Sequence, residues 1–464
     1  MLKIIFLLLM SGGIPVAIAM AGSALIYIWI SGNLPSFVVI HRMVSGIDSF
    51  PLLAVPFFIL AGNLMNNAGI TNRIYNYALA LVGWLKGGLG HVNVVGSVVF
   101  AGMSGTAIAD AAGLGTIEIK AMKDHGYATE FAVGVTAASA TLGPIIPPSL
   151  PFVIYGMMAN VSVGALFLAG ILPGVLMAVL MMLTVAYFAH RNGWGGDIPF
   201  EWPRVLKALA ETAVVVLWPL SLWLLIVKVG LQPQLTVLGG AVVLFTLDRI
   251  FRFQAVLPIM TPVLLIGGMT TGIFTPTEGA IAACLWAIGL GLFWYRTLRW
   301  KTLVKVSLDT VETTATVLFI VAAASIFGWM LTATGVTAAI SSWVLAFTQE
   351  QWVFLLLANI LMLFVGCFLE PTAAITILVP ILVPICQQLG IDLVHFGLVM
   401  VLNLMIGLLH PPMGMVLFVL ARVARLSVER TTIAILPWLV PLLVSLALIT
   451  YLPKPVLWLP KMFY

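Results

Sequence analysis

Two short clusters set hydroxyl groups, glycines and an acid inside otherwise apolar sequence. Gly102-Met103-Ser104-Gly105-Thr106 offers two hydroxyl oxygens beside glycines that allow close backbone approach; Gly366 to Glu370-Pro371-Thr372 offers a hydroxyl and a carboxylate. Such oxygens, joined by the free carbonyls of a helix end, coordinate an alkali cation, while the free N–H groups at a helix start hold a carboxylate. Each cluster has a partner segment broken by a double proline, Pro147-Pro148 after Gly143 and Pro411-Pro412 after Gly407. The pattern predicts one sodium site from Ser104, Gly105, Thr106, Gly143 and Pro147, and a second from Gly366, Glu370, Thr372, Gly407 and Pro411. Asp110, Ser149, Asn403 and His410 lie close by in sequence and are candidate contacts for an anionic substrate. Each has a plainer reading, since hydroxyls bond their own helix carbonyls and amides bond between helices.

These groups must be positioned by a chain of 464 residues that is 62% hydrophobic and 8% charged, with a mean hydropathy of +1.16. Soluble domains run near 45–50% apolar and about 25% charged, so a soluble fold is excluded. A span needs about 20 apolar residues, and in lipid only helices or closed barrels satisfy the backbone. Long apolar runs recur along the whole chain, which makes it an all-α polytopic integral membrane protein. The run from Ile4 to Trp29 exceeds a signal-peptide core and reads as a retained first span. The net charge of +5 is scattered over short loops, so nucleic acid is not a partner. Cys284, Cys367 and Cys386 and the six histidines lack metal-ligand spacing, and no bound cofactor is expected. Acids at membrane depth are costly, which singles out Asp110, Glu278 and Glu370; Glu370, nearest a tip, is the best placed for ion coupling, and Glu278 could lock a kink at Pro276.

The chain repeats itself. Gly62 to Gly69-Ile70-Thr71 matches Gly328 to Gly335-Val336-Thr337, and Ser104-Gly105-Thr106-Ala107 falls on Glu370-Pro371-Thr372-Ala373, both at an offset of 266; Gly143 to Pro148 falls on Gly407 to Pro412 at 264. A looser match sets Gly13-Ile14-Pro15 on Phe274-Thr275-Pro276 and makes 257–295 one long kinked span like the first. Residues 1–190 then form one half, with a hairpin near 88–120 and a broken helix at 128–160. Residues 257–464 form the other, with a hairpin near 352–389 and a broken helix at 392–421. Between them, 191–256 hold a polar loop and an inserted helix pair ending near Arg249 and Arg252.

Lys86, Lys120 and Lys123 flank the first hairpin, whereas Gln349, Glu350, Gln387, Gln388 and Asp392 flank the second. The positive-inside rule places the two bases on opposite faces, the first cytoplasmic, giving an inverted repeat. The same scheme puts Arg296, Arg299, Lys301 and Lys305 outside, against the rule, unless an interfacial amphipathic helix starts there, as one could over Phe37 to Asp48. Gly102-Met103-Ser104-Gly105 also spells the G-x-S-G string of intramembrane serine proteases; no second motif fixes a histidine partner, and the repeat explains the same residues without an enzyme.

The blocks FPLLAVPFFILAGNLMNNAGIT, GMSGTAIADAAGLG, GPIIPPSLPFVIYG, GIFTPTEGAIAA and EPTAAITILVPILVPI through HPPMGMVLF resemble, in order, the signatures of the large membrane subunit of tripartite ATP-independent periplasmic (TRAP) transporters, the DctM-like family. The resemblance implies a sodium-driven elevator-type importer in the bacterial inner membrane, in which hairpins and broken helices slide through a scaffold of outer spans. It also implies a periplasmic solute-binding protein that delivers a small carboxylate, and a small four-helix membrane subunit. No such segment precedes Met1, so that subunit is expected as a separate chain. The inserted pair near 206–250 departs from the family pattern. The rival reading is a stand-alone sodium-coupled anion transporter of similar hairpin architecture.

Overall fold

The computed structural model describes the chain except Asn33, residues 228–232, Arg252, Gln254, Thr271, Gly272, Pro412, Met413 and Tyr464. Among the described residues every regular element is a helix, and six are long and apolar enough to cross a membrane.

Local chemistry sets the two hairpins. The first runs out along Gly88–Ser104 and returns along Ala107–Ala112 and Leu114–Asp124. Gly105 makes the turn in the left-handed region (φ 64), and the Thr106 hydroxyl caps the return arm by accepting from Ala109 N at 3.3 Å. The second runs out along Gln351–Gly366 and returns along Pro371–Gln388, where the Glu370 carboxylate caps Ala373 N at 3.2 Å and Pro371 occupies the first helical position. The broken helices are Thr129–Ala140 with Leu150–Ala159, and Leu393–Gly407 with Met415–Ala424. Pro147-Pro148, joined by a cis bond, lies in the first break; Pro411 lies in the second, and Pro412 is outside the described residues.

Equivalent positions of the two halves share backbone detail that composition does not dictate. Gly69 and Gly335, 266 apart, take φ of 72 and 70, and Asn160 and Arg425, 265 apart, both take φ 56. Ser162 and Ser427, also 265 apart, each cap the long helix that follows, accepting from Ala165 N and Arg430 N.

The broken helices run past each other. The Tyr155 hydroxyl, late in the first, donates to the carbonyl of Leu393 at the start of the second (2.7 Å), while Met415–Ala424, ending the second, packs against Ala107–Ala112 and Thr129–Ala140. The hairpin bases therefore lie at opposite ends of the molecule and the tips approach between them.

Two segments differ from the sequence expectation. Residues 4–31 and 257–295, read as single kinked spans, each fold back as a packed helix pair, because Gly-rich or capped turns reverse them. A Cβ on Gly22 would sit 3.7 Å from Leu9, and Trp286 Nε1 donates to the Leu257 carbonyl at 3.1 Å. In the second case Glu278 sets the start of the returning helix: it completes a capping box with Thr275, accepting from the Thr275 N and hydroxyl at 2.7 and 2.8 Å.

The second reversal settles where the basic cluster lies. Thr297 donates to the Ala68 carbonyl (2.8 Å), the Arg73 guanidinium lies 4.0 Å over the Tyr295 ring, and Trp294 donates to Asp248 (2.9 Å). The helix Ile70–Val82 is 13 residues, about 20 Å at 1.5 Å per residue, short of a bilayer core. Along its length it meets Asp248, Thr212 (through Tyr77, 2.6 Å) and, just past its end, the loop at Asp197. That loop pairs with the base of the first hairpin through Gly87 N to the Gly195 carbonyl (2.8 Å). Asp197 also accepts from Leu89 N and from the Tyr127 hydroxyl at 2.8 and 2.6 Å; burial and this carboxylate push the Tyr127 phenol up, keeping it a donor. Lys86, Arg204, Arg73, Arg249 and Arg296 thus share one end, not two. The helix Phe37–Ile47, by contrast, packs on Trp300–Ala333, with Arg42 4.7 Å over the Trp329 ring.

Candidate functional site

The two tips meet at a cavity of about 700 Å³. Ser104 and Thr106 enter it from the first hairpin, Glu370 from the second, and Asn63, Asn66 and Thr313 from the helices Ala54–Asn67 and Trp300–Ala333. Ser104 is 6% exposed and its hydroxyl has no partner among the described residues. A buried unpaired hydroxyl is costly unless a ligand satisfies it. Thr372 is buried and donates to Glu370 Oε1 at 2.9 Å, leaving its lone pairs available.

Glycine permits the backbone geometry at both tips. A Cβ on Gly105 would lie 2.7 Å from the Pro148 carbonyl oxygen, and one on Gly143 3.1 Å from the Thr106 oxygen. In the second half Gly407 faces Gly366, and a Cβ on Gly407 would lie 2.7 Å from Gly366 Cα. Each hairpin turn is therefore pressed against the break of its partner helix, where carbonyl groups leave the helical ladder. Pro147 is buried within its break and Pro411 is exposed within its own.

The four candidate substrate contacts have other neighbours. Asp110 is 2% exposed and turns toward Ser97 of the opposite arm, while its neighbours Ile108 and Ala109 line the cavity. Ser149 caps Leu150–Ala159 and donates to the Pro144 carbonyl at 2.5 Å. Asn403 donates to Asn359 at 2.5 Å, and His410 is half-buried with Nδ1 3.2 Å from its own helix carbonyl at Ile406. None of the four is among the residues that line the cavity.

Sequence reasoning missed Asn93 and Asn359, which lie 266 apart. Asn93 accepts from Ser139 at 2.7 Å and donates to Thr136 and Glu118 at 2.8 and 2.6 Å. Asn359 accepts from Asn403 and donates to Thr450 at 3.1 Å. Ser139 and Asn403 are themselves 264 apart, so the same amide lock ties hairpin to broken helix in both halves. The repeat offset was the signal that could have found it.

Comparison with known proteins follows from this geometry. The family model for the tripartite ATP-independent periplasmic transporter, DctM component, matches residues 3–455. The chain belongs to this family. It is 40% identical over 455 residues to the sialic acid TRAP transporter large permease protein SiaM of Vibrio cholerae, covering 98% of this chain and 96% of SiaM. It is 38% identical over 459 residues to the sialic acid TRAP transporter permease protein SiaT of Haemophilus influenzae, covering 99% of this chain and 68% of SiaT. In structure it resembles MtrF of Neisseria gonorrhoeae, described with a class of antimetabolite efflux pumps, with a TM-score of 0.61 at 12% identity over 89% of this chain and 83% of MtrF; that likeness concerns the fold. The chain is thus a multi-pass transport protein of the bacterial inner membrane, and these two relatives are named as permeases.

Proposed function

We propose that the chain is the translocating subunit of a sodium-coupled importer for a small organic acid, supplied by a periplasmic binding protein and braced by a small four-helix membrane subunit. One observation carries the reading: hydroxyls from one hairpin tip and a carboxylate from the other line a single cavity, and Ser104 has no partner there among the described residues. The oxygens of Ser104, Thr106 and the Gly143 break form the first sodium site; Glu370, Thr372 and the Gly366–Gly407 contact form the second. Sodium at the tips would offset the Glu370 charge and favour a substrate carboxylate beside it.

The cavity volume lies within the usual 300–1,000 Å³ of small-molecule sites. SiaM and SiaT are named for sialic acid, so an acidic sugar is the first substrate class to test. Basic residues gathered at one end make that end cytoplasmic. Asn72 and Ile117 among the lining residues lead toward it, so this conformation faces inward. The inverted halves, each a hairpin locked to a broken helix, would move as the elevator body against the scaffold.

The test is uptake into proteoliposomes containing the chain with its small subunit. Uptake should need both sodium and the binding protein; uptake without the binding protein would favour the stand-alone transporter. Ser104→Ala and Thr372→Ala should each raise half-saturating sodium about tenfold, the worth of roughly 1.5 kcal/mol for a contact to a charged partner. Unchanged sodium titrations in both would refute the site assignments.

A further inference from the structure

The structure holds a second polar cavity, of about 790 Å³, at the basic end. It shares no lining residue with the cavity at the hairpin tips. Arg73 of the short helix Ile70–Val82, Asp248 and Arg249 at the close of the inserted helix Pro233–Phe251, and Trp294, Tyr295 and Arg296 line it. Three guanidinium groups thus face one carboxylate. That carboxylate already accepts from Trp294, and among the described residues none of the three arginines closes an ion pair. Arg73 is held by stacking on Tyr295, which leaves its donor fork available. Arg296 adopts φ 54, a left-handed conformation that a non-glycine residue takes at a cost.

We propose that this cavity binds a phosphate group, presented by the headgroup of an anionic phospholipid. Planar arginine forks match phosphate oxygens in pairs, and basic pockets between membrane helices on the cytoplasmic side suit anionic headgroups. Trp294 and Tyr295 are the ring types that sit at headgroup depth. Apolar surface for acyl chains adjoins the cavity, where Phe293 is 77% and Ile250 66% exposed. Two of the cavity's charged residues come from the inserted pair, which gives that pair a ligand-binding role.

Native mass spectrometry of the purified full chain, titrated separately with phosphatidylglycerol, phosphatidylcholine and glycerol 1-phosphate, tests the proposal. Wild type should bind phosphatidylglycerol at least tenfold more tightly than phosphatidylcholine. The double variant Arg249→Ala, Arg296→Ala should lose that preference. Arg249→Lys with Arg296→Lys keeps the charges but not the forks; it should lose about threefold, and it decides the matter if the alanine variant fails to fold. Equal binding of the two lipids by wild type, or a full preference surviving in the lysine variant, would overturn the proposal. Binding of glycerol 1-phosphate without a phosphatidylglycerol preference would overturn the lipid source.

Discussion

The contact between Gly407 and Gly366 gives the sharpest test of how the second hairpin is held. An alanine at 407 would put its Cβ 2.7 Å from both Cα and C of Gly366 and 2.9 Å from its oxygen, all backbone atoms that cannot rotate aside. Ordinary van der Waals contact starts near 3.4 Å, so the hairpin arm must retreat by about 0.7 Å. An alanine at 366 would meet Gly407 Cα at 3.2 Å and needs only about 0.2 Å. Overpacking typically costs about 1–3 kcal/mol, against up to about 1 kcal/mol that alanine gains over glycine in a helix. Gly407→Ala should therefore destabilise by roughly 1–2 kcal/mol while Gly366→Ala stays near zero. The displacement passes along the turn to Glu370 and Thr372. Sites tolerate about 0.5 Å of misplacement, so half-saturating sodium for uptake should rise by about tenfold in Gly407→Ala and less than about twofold in Gly366→Ala. Sodium titration of uptake in proteoliposomes, with thermal denaturation in parallel, reads both. A Gly407→Ala curve superimposed on wild type, or Gly366→Ala as damaging as Gly407→Ala, would refute the packing argument.

The two amide locks should differ in worth. Asn93→Ala removes three hydrogen bonds, one of them to the buried carboxyl of Glu118, and Asn359→Ala removes two; at about 1 kcal/mol or somewhat more per buried bond the first loss is the larger. Thermal denaturation should rank Asn93→Ala below Asn359→Ala, and the reverse order would contradict the assigned network. At the first hairpin's base, Asp197→Ala strips the acceptor from Tyr127 and Leu89, so hydrogen exchange in residues 193–200 should speed while the hairpin tip is unaffected; unchanged exchange there would show that the loop is pinned by other contacts.

Most of the fold was legible because duplicated chains repeat their punctuation. Gly69 and Gly335, the double prolines, and the residues that turn each hairpin stand at fixed offsets in the sequence, and at Gly69 and Gly335 the backbone agrees as well. What the sequence hid was direction. Apolar content cannot tell a span from a helix pair folded on itself, and the reversal before Pro276 rests on a capping box whose acid, Glu278, looked like a functional group at membrane depth. The short helix Ile70–Val82 was hidden for a similar reason, since its apolar residues face protein. Once both are placed, the basic cluster joins Lys86 at one end and the conflict with the positive-inside rule disappears. Ser104, Thr106 and Glu370 line one cavity, a convergence that only the fold brings about, whereas the sequence could not separate ligand from helix contact at Asn403 and Ser149, because an amide or hydroxyl near a break serves either as readily.

The halves agree in mechanics and differ in chemistry. The lock between hairpin and broken helix occurs in both, and in both a glycine lets the turn press on the break. At the tips and along the return arms the equivalents diverge: Ser104 corresponds to Glu370, Asp110 to Thr376 and Glu118 to Pro384. Under the elevator motion we propose, a tip cavity carried intact needs each hairpin to travel with its own broken helix, whereas the ligand-facing groups are free to specialise. On that proposal the freedom for relative motion falls to the connections that carry no lock. Gly69, left-handed at the start of Ile70–Val82, and Gly335, left-handed at the start of Val336–Phe347, stand at the equivalent joints between scaffold and hairpin in the two halves. A side chain at either would be strained in this backbone conformation, so both joints depend on glycine for the geometry that links the scaffold to the hairpin.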